Sequence, residues 1–171
     1  MIKIIDDFIP LNEQEEIKEI FLGHRTSFPW FFKSDVTFKY GKQNRPAMAH
    51  TFIWKGKTIS PFAEGAVRLG KIGAEKADYK FNSVLNARTF LQFPLNPNSL
   101  EDDTPDSVHI DTPTKHLVVL YYVLTADGDT IIGDTKITPK QGRAVLFDGS
   151  LYHTAEQPKN GMRCVINVNV V

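Results

Sequence analysis

Four residues in the C-terminal half have the types and spacing for chemistry: His109, Asp111, His153 and Arg163. His109 and Asp111 stand two apart, so on a strand or extended turn both side chains project from one face. His153 follows about forty residues later, on a separate predicted strand. Two imidazoles and one carboxylate form the facial ligand set suited to non-haem Fe(II), whose remaining positions stay open for cosubstrate and oxygen. Arg163 carries a planar fork of donors matched to a carboxylate. A His-x-Asp triplet alone is a weak signal. The ordered series is more specific: His109-x-Asp111, a strand, the turn Asp127-Gly128-Asp129-Thr130, Pro139 to Gly142, a strand ending Leu146-Phe147-Asp148, His153, then Arg163.

Strands must position these residues. Ser83–Phe93 reads as one strand, stopped by Pro94 and a polar loop, Asn96–Ser107. Lys115–Leu124 is the clearest strand, and Thr130–Ile132, Lys136–Thr138, Arg143–Phe147, Tyr152–Ala155 and Arg163–Val171 follow between turn signals. In the last of these, Cys164, Ile166, Val168 and Val170 share one face, while Arg163, Val165, Asn167 and Asn169 share the other. The apolar face suits packing under helices; a polar inward face implies a lined pocket, because buried polar groups need partners. The first third reads as helices mixed with short strands. Asn12 and Glu15 form a candidate capping box for a helix carrying Ile17, Ile20 and Phe21 and stopping at Gly23. Ser60-Pro61 marks a second helix start, with Phe62, Ala66, Leu69 and Gly73 at helical spacing and Gly65 and Gly70 weakening it. The expected fold is mainly β with N-terminal helices: a double-stranded β-helix, or jelly-roll, barrel buttressed by those helices. One domain over 1–171 is expected, with helical and mixed support over about 1–82 and the barrel over about 83–171.

Composition narrows the function classes. The 171 residues are 42% hydrophobic, with 20 basic and 20 acidic side chains and no net charge. No basic field suggests a nucleic-acid partner. One cysteine, Cys164, excludes an internal disulfide and multi-cysteine zinc sites, and its place on the apolar face predicts a buried, inert thiol. No apolar run is long enough to span a bilayer, and Met1–Asp7 lacks the features of a secretory signal, so a cytoplasmic protein is expected. The acidic residues Glu101, Asp102, Asp103 and Asp106 read as a solvated loop. Phe28 to Phe32 reads as core or as a cover over an apolar pocket. His24, His50 and His116 lack a carboxylate at matching spacing and are not expected to be ligands; Lys115 reads as a solvated lysine.

Over Asn86–Val171, about half of the chain, this ordered series resembles the prolyl 4-hydroxylase-like 2-oxoglutarate/Fe(II) dioxygenases, in particular the small versions of phages and marine bacteria. The opening Ile4-Ile5-Asp6-Asp7-Phe8-Ile9 and the Phe28-Pro29-Trp30 cluster resemble the family more weakly. The resemblance implies that His109, Asp111 and His153 ligate iron and that Arg163 pairs with the distal carboxylate of 2-oxoglutarate. It implies that Tyr122 donates to the same carboxylate, and that Asn169, on the Arg163 face, touches cosubstrate or substrate. There are departures. Phe93 stands where many relatives have a tyrosine, so its hydroxyl contact is missing or supplied by a residue such as Asn86 or Arg88. Val123-Leu124 replaces Leu-Asn, and Arg163-Cys164-Val165 replaces Arg-x-Ser.

The resemblance implies hydroxylation of a C–H bond, coupled to conversion of 2-oxoglutarate and O2 to succinate and CO2, with ascorbate a candidate reductant. An Asp at position 111 favours hydroxylation over halogenation, which would want a small residue there. A prolyl or other protein residue fits as substrate, and a free amino acid or small metabolite fits almost as well. The chain would then act in the cytoplasm, the host's if phage-encoded. Asn96–Ser107 and the segment around Phe32–Arg45 are the expected lids. The competing reading is a cupin-like metal- or sugar-binding jelly roll, which needs neither Arg163 nor Tyr122.

Overall fold

A computed structural model describes residues 1–24, 27–36, 45–95 and 105–171. In chain order the elements are β1 (Ile2–Ile5), α1 (Leu11–Leu22), β2 (Phe31–Lys33), β3 (Ala47–Trp54), β4 (Lys57–Thr58), α2 (Ala63–Ala77) and β5 (Val84–Gln92). Then come β6 (Leu117–Tyr122), β7 (Thr130–Ile132), β8 (Thr135–Ile137), β9 (Ala144–Asp148), β10 (His153–Ala155) and β11 (Arg163–Val170). The large antiparallel sheet runs β1-β9-β6-β11-β5-β3-β2, with β4 paired to β3; a small sheet runs β10-β7-β8. Two facing antiparallel sheets with helices on the outside make the expected jelly roll.

The sheet crosses the expected division near residue 82. β1 pairs with β9 and β3 with β5, so the N-terminal half supplies strands as well as helices. β6 is buried along its whole length because it is covered on both faces, which is why it reads as an unbroken apolar run. Its odd positions, with Cys164, Ile166, Val168 and Val170 of β11, pack beneath the helices. Its even positions, Val118, Leu120 and Tyr122, face the small sheet with Val145, Phe147 and Val165. The alternation deduced for β11 therefore separates a dry helix-side core from a polar, sheet-enclosed interior.

Helix α2 lies close on the large sheet because it has glycine where it crosses. A Cβ at Gly70 would meet Val168 and Val170 at 3.2 Å, and one at Gly73 would collide with Val119. The glycines thus permit close approach rather than breaking the helix. Asn12 does not cap α1: Pro10 precedes the first turn, no side chain caps it, and Asn12 lies inside the helix. Gly23 ends α1 as expected, its N–H donating to Glu19 O at 2.9 Å. Phe28 is buried, its ring against those of Phe21, Trp30 and Phe62, but Phe31 and Phe32 on edge strand β2 are 59% and 69% exposed, so the aromatic run is only partly core. Among the described residues no helix is long and apolar enough to cross a membrane.

Candidate active site

His109 and His153 meet across an isolated antiparallel bridge. Each backbone N–H donates to the other's carbonyl, at 3.0 and 2.9 Å, and the rings lie 4.6 Å apart. Each ring bonds through Nδ1 to the carbonyl two residues earlier: His109 to Ser107 O at 2.9 Å, His153 to Leu151 O at 3.2 Å. A carbonyl only accepts, so Nδ1 carries the proton and Nε2 keeps its lone pair. Both Nε2 atoms lie 3.8 Å from Asp111 Oδ1. One ligand atom from each residue falls within 4.8 Å of the other two, close enough to share one ion. Burial draws His153 below the ordinary imidazole range, against the pull of the Asp111 charge. That keeps the ring neutral, as a metal ligand must be.

Asp111 is held by its other oxygen. Asn167 Nδ2 and Asn169 Nδ2 donate to Oδ2 at 3.0 and 2.8 Å, and Asn169 Nδ2 also reaches Asn167 Oδ1 at 3.2 Å. Burial pushes the carboxyl up, but the neighbouring His153, the two amides and His109 outweigh it, leaving it below the usual carboxylate range. Oδ1 is thus turned, ionised, toward the histidines. The structure places Asn169 on the cavity wall with its amide committed to Asp111. Asn167 is part of the same clamp; its place on the inward face of β11 was the signal for it.

The other end of the cavity is built around Arg163, 4% exposed. Its Nε donates to Gly128 O at 3.1 Å, Nη1 to Gln92 Oε1 at 2.7 Å and Nη2 to Thr130 Oγ1 at 2.7 Å. These acceptors are all neutral, and among the described residues no carboxylate lies within ion-pair distance of the guanidinium. Burial lowers its affinity for a proton, though an arginine remains charged. A cation so placed, with two of its five N–H groups still unassigned and the cavity beside it, calls for an anion. Thr130 Oγ1 also accepts from Tyr122 at 2.7 Å. With both lone pairs used, its own proton is free to donate into the cavity. Tyr122 is fully buried, its hydroxyl spent on Thr130, and it stands behind the wall.

Strand register orders the cavity between these ends. β5 and β11 pair Gln92 with Arg163, Phe90 with Val165, Arg88 with Asn167 and Asn86 with Asn169, all lining one cavity of about 190 Å³. Arg163 and Asn167 stand four positions apart, about 13 Å along the strand. Phe93 lies past the end of β5 and is 38% exposed; the last side chain of β5 to reach the cavity is Gln92. Gln92 Nε2 donates to Asp106 Oδ2 at 3.3 Å, and Asp106 Oδ1 pairs with Arg45 at 3.2 Å and accepts from Gln157 at 2.6 Å. Asp106 is therefore not part of a solvated loop: it is 4% exposed and anchors the wall. Glu101, Asp102 and Asp103, with most of both expected lids, lie outside the described residues.

The remaining sequence candidates fall elsewhere. His50 is buried between Pro29 O and Ser60 Oγ, each at 2.7 Å, and His116 Nδ1 donates to Thr114 O at 2.6 Å. His24 and Lys115 are exposed. The Cys164 thiol is buried on the helix side, where burial pushes it up to about 12, so it is not reactive.

No protein-family model and no curated protein matches the chain. Solved structures do resemble it. A 2OG-Fe(II) oxygenase family oxidoreductase from Burkholderia pseudomallei superposes with a TM-score of 0.70 at 7% identity, over 98% of this chain and 84% of that one. A prolyl hydroxylase from Trichoplax adhaerens, in complex with a hypoxia inducible factor peptide fragment, gives 0.67 at 15% identity, over 99% and 82%. A non-heme alpha-ketoglutarate-dependent epimerase from nogalamycin biosynthesis gives 0.67 at 11%, over 99% and 77%. At such identities the likeness speaks for the fold: this chain has the jelly-roll fold of the 2-oxoglutarate/Fe(II) oxygenases.

Proposed function

We propose that this protein is a 2-oxoglutarate- and Fe(II)-dependent oxygenase of the hydroxylase type. The observation that carries the proposal is the convergence, in one cavity, of two histidines with free Nε2 atoms, a clamped carboxylate and a buried arginine without a charged partner. His109, Asp111 and His153 would hold the iron, and the donor set fits it: two neutral imidazoles and one carboxylate, with the rest of the sphere open. Arg163 and the Thr130 hydroxyl would take the distal carboxylate of 2-oxoglutarate, with Gln92 and Tyr122 fixing those two donors. When bound, the iron and its cosubstrate supply the oxidation of a C–H bond, releasing succinate and CO2.

The chain's own residues bind, orient and exclude water. Ser107 O and Leu151 O hold each imidazole in the tautomer that presents Nε2. Asn167 and Asn169 keep Asp111 from swinging both oxygens inward. Phe90, Leu120 and Val165 form the apolar wall between the two ends, which lowers the local dielectric and strengthens the Arg163 contact. The neighbours' range of named activities leaves reaction outcome to the site rather than the fold.

An anaerobic titration of apoprotein with Fe(II) and 2-oxoglutarate tests the proposal. A visible charge-transfer band should saturate near one equivalent and vanish in His153→Ala and Asp111→Ala. Arg163→Ala should raise the 2-oxoglutarate midpoint by one or more orders of magnitude, in keeping with about 2–5 kcal/mol for a buried charged contact. Metal binding without a band would leave the protein a metal-binding jelly roll of the cupin kind, and an unchanged midpoint in Arg163→Ala would remove Arg163 from cosubstrate binding.

A further inference from the structure

Arg88 is the one cation on the described cavity wall that the proposed reaction does not use. It projects inward from β5, opposite Asn167, and is therefore level with the metal ligands rather than with Arg163. Its guanidinium lies over the Trp54 ring, 4.6 Å from the centroid, and Lys55 Nζ lies 5.8 Å from the same centroid. The strand end that carries Trp54 is pinned by Lys55 N–H, which donates to Asn86 Oδ1 at 3.0 Å. Stacking satisfies the charge through the ring face but leaves the N–H groups around the edge without acceptors. Among the described residues Arg88 makes no hydrogen bond and no ion pair; the Asp111 charge is felt only at longer range. Arg163, by contrast, has three hydrogen-bond acceptors.

Charge balance gives the same answer. A divalent ion and a doubly charged 2-oxoglutarate cancel. Asp111 offsets Arg163, and Asp106 is already paired with Arg45. The wall then retains one positive charge, on Arg88, beside the position where a substrate C–H must approach. A low-dielectric cavity with one surplus cation favours a ligand with one negative charge.

We infer that the substrate carries a carboxylate, and that Arg88, held flat by Trp54, binds it next to the iron site. This rests on the oxygenase reading and adds the substrate class. Arg88 is then a specificity residue. Its fork fixes how far the reacting carbon lies from the charged group, which sets which C–H faces the metal. A carboxylate on a small acid and one on an acidic side chain in a peptide present the same chemistry to the fork.

The test uses the twenty L-amino acids, free and N-acetylated, each as carboxylate and as carboxamide, with succinate formation as the readout. The N-acetyl carboxamides of Asp and Glu stand for a side-chain carboxylate in a peptide. The expected result is that compounds carrying a carboxylate, at the α position or on the side chain, stimulate succinate formation and their matches without any carboxylate do not. In Arg88→Gln the KM for the stimulating acid should rise about ten- to a hundredfold, the loss of a hydrogen bond to a charged group. Arg88→Lys should restore part of it, and the 2-oxoglutarate midpoint of the chelate band should not move. A second readout needs neither metal nor turnover. In a Trp30→Phe background Trp54 is the sole tryptophan, and the same carboxylates should change its emission in the Arg88 protein but not in Arg88→Gln.

Equal stimulation by compounds that carry no carboxylate overturns the inference, as does stimulation by no member of the panel. A shifted 2-oxoglutarate midpoint in Arg88→Gln would make Arg88 a cosubstrate ligand and overturn it too. Absence of the chelate band in the unsubstituted protein strikes the oxygenase reading instead. In that case the Trp54 titration alone decides whether Arg88 binds carboxylates.

Discussion

Asp111 offers one oxygen to the histidines because Asn167 and Asn169 occupy the other, at 3.0 and 2.8 Å. Free rotation about χ2 would let the carboxylate present either oxygen or both; the two amides remove that freedom. Outer partners of this kind orient metal ligands, and losing one typically costs ten- to a hundredfold in affinity. Asn169→Ala is therefore expected to weaken Fe(II) or Mn(II) binding by about that factor, and Asn167→Ala by a similar amount, measured by equilibrium dialysis. The double variant should lose less than the sum, because both amides serve one oxygen. Unchanged metal affinity in both single variants would mean that the clamp has no role in ligation. Arg163 obeys the same logic: Gln92, Thr130 and Gly128 O aim a charge whose partner must come from solution.

Helix α2 positions the floor of the site from outside. It rests on β6 and on β11, the strand that carries Arg163, Asn167 and Asn169 on its other side, so its distance from the sheet sets the sheet's shape. Gly73 faces Val119 at a point where a methyl group has no room, whereas nothing lies within 4 Å of a Cβ at Gly65. Gly73→Ala should lower unfolding free energy by about 1–3 kcal/mol through overpacking. Gly65→Ala should raise it by about 0.5–1 kcal/mol through helix propensity and a smaller unfolded-state entropy. Urea denaturation reads both. Destabilisation in both would mean that α2 does not lie as closely on the sheet as described.

At the scale of the molecule, the fold brings side chains from β5, β10, β11 and the segment before β6 into one enclosed interior, and that enclosure sets the response to pH. Burial lowers the His153 value below that of a free imidazole, about 6.5. Metal binds the neutral ring, so protons compete with it. At His153 that competition is displaced below the ordinary imidazole range. The stability term has the same sign. The unfolded chain takes up this proton first, so the contribution is fully present above the ordinary imidazole value and is lost as the pH falls through the folded one. Urea unfolding of the metal-free protein between about pH 8 and pH 5 checks this; a stability that does not fall as the pH drops would contradict it.

Much of this was legible in the residues themselves. Strand alternation is a strict period of two, so Cys164, Ile166, Val168 and Val170 could be assigned to one face and Arg163, Val165, Asn167 and Asn169 to the other without coordinates. The spacing of His109 and Asp111 has the same origin. Pairing between distant strands has no local signature, and there only the tertiary structure decides. It set Arg163 opposite Gln92 and Arg88 opposite Asn167, and it turned Tyr122 onto Thr130 rather than into the cavity. It buried Asp106 although its neighbours in sequence are acidic, because Arg45, Gln92 and Gln157 arrive from remote segments to hold it. The candidate ligand set was written in residue types and periodicity. Which polar residues clamp it, and which cation stands free beside it, depended on register between strands far apart in the chain.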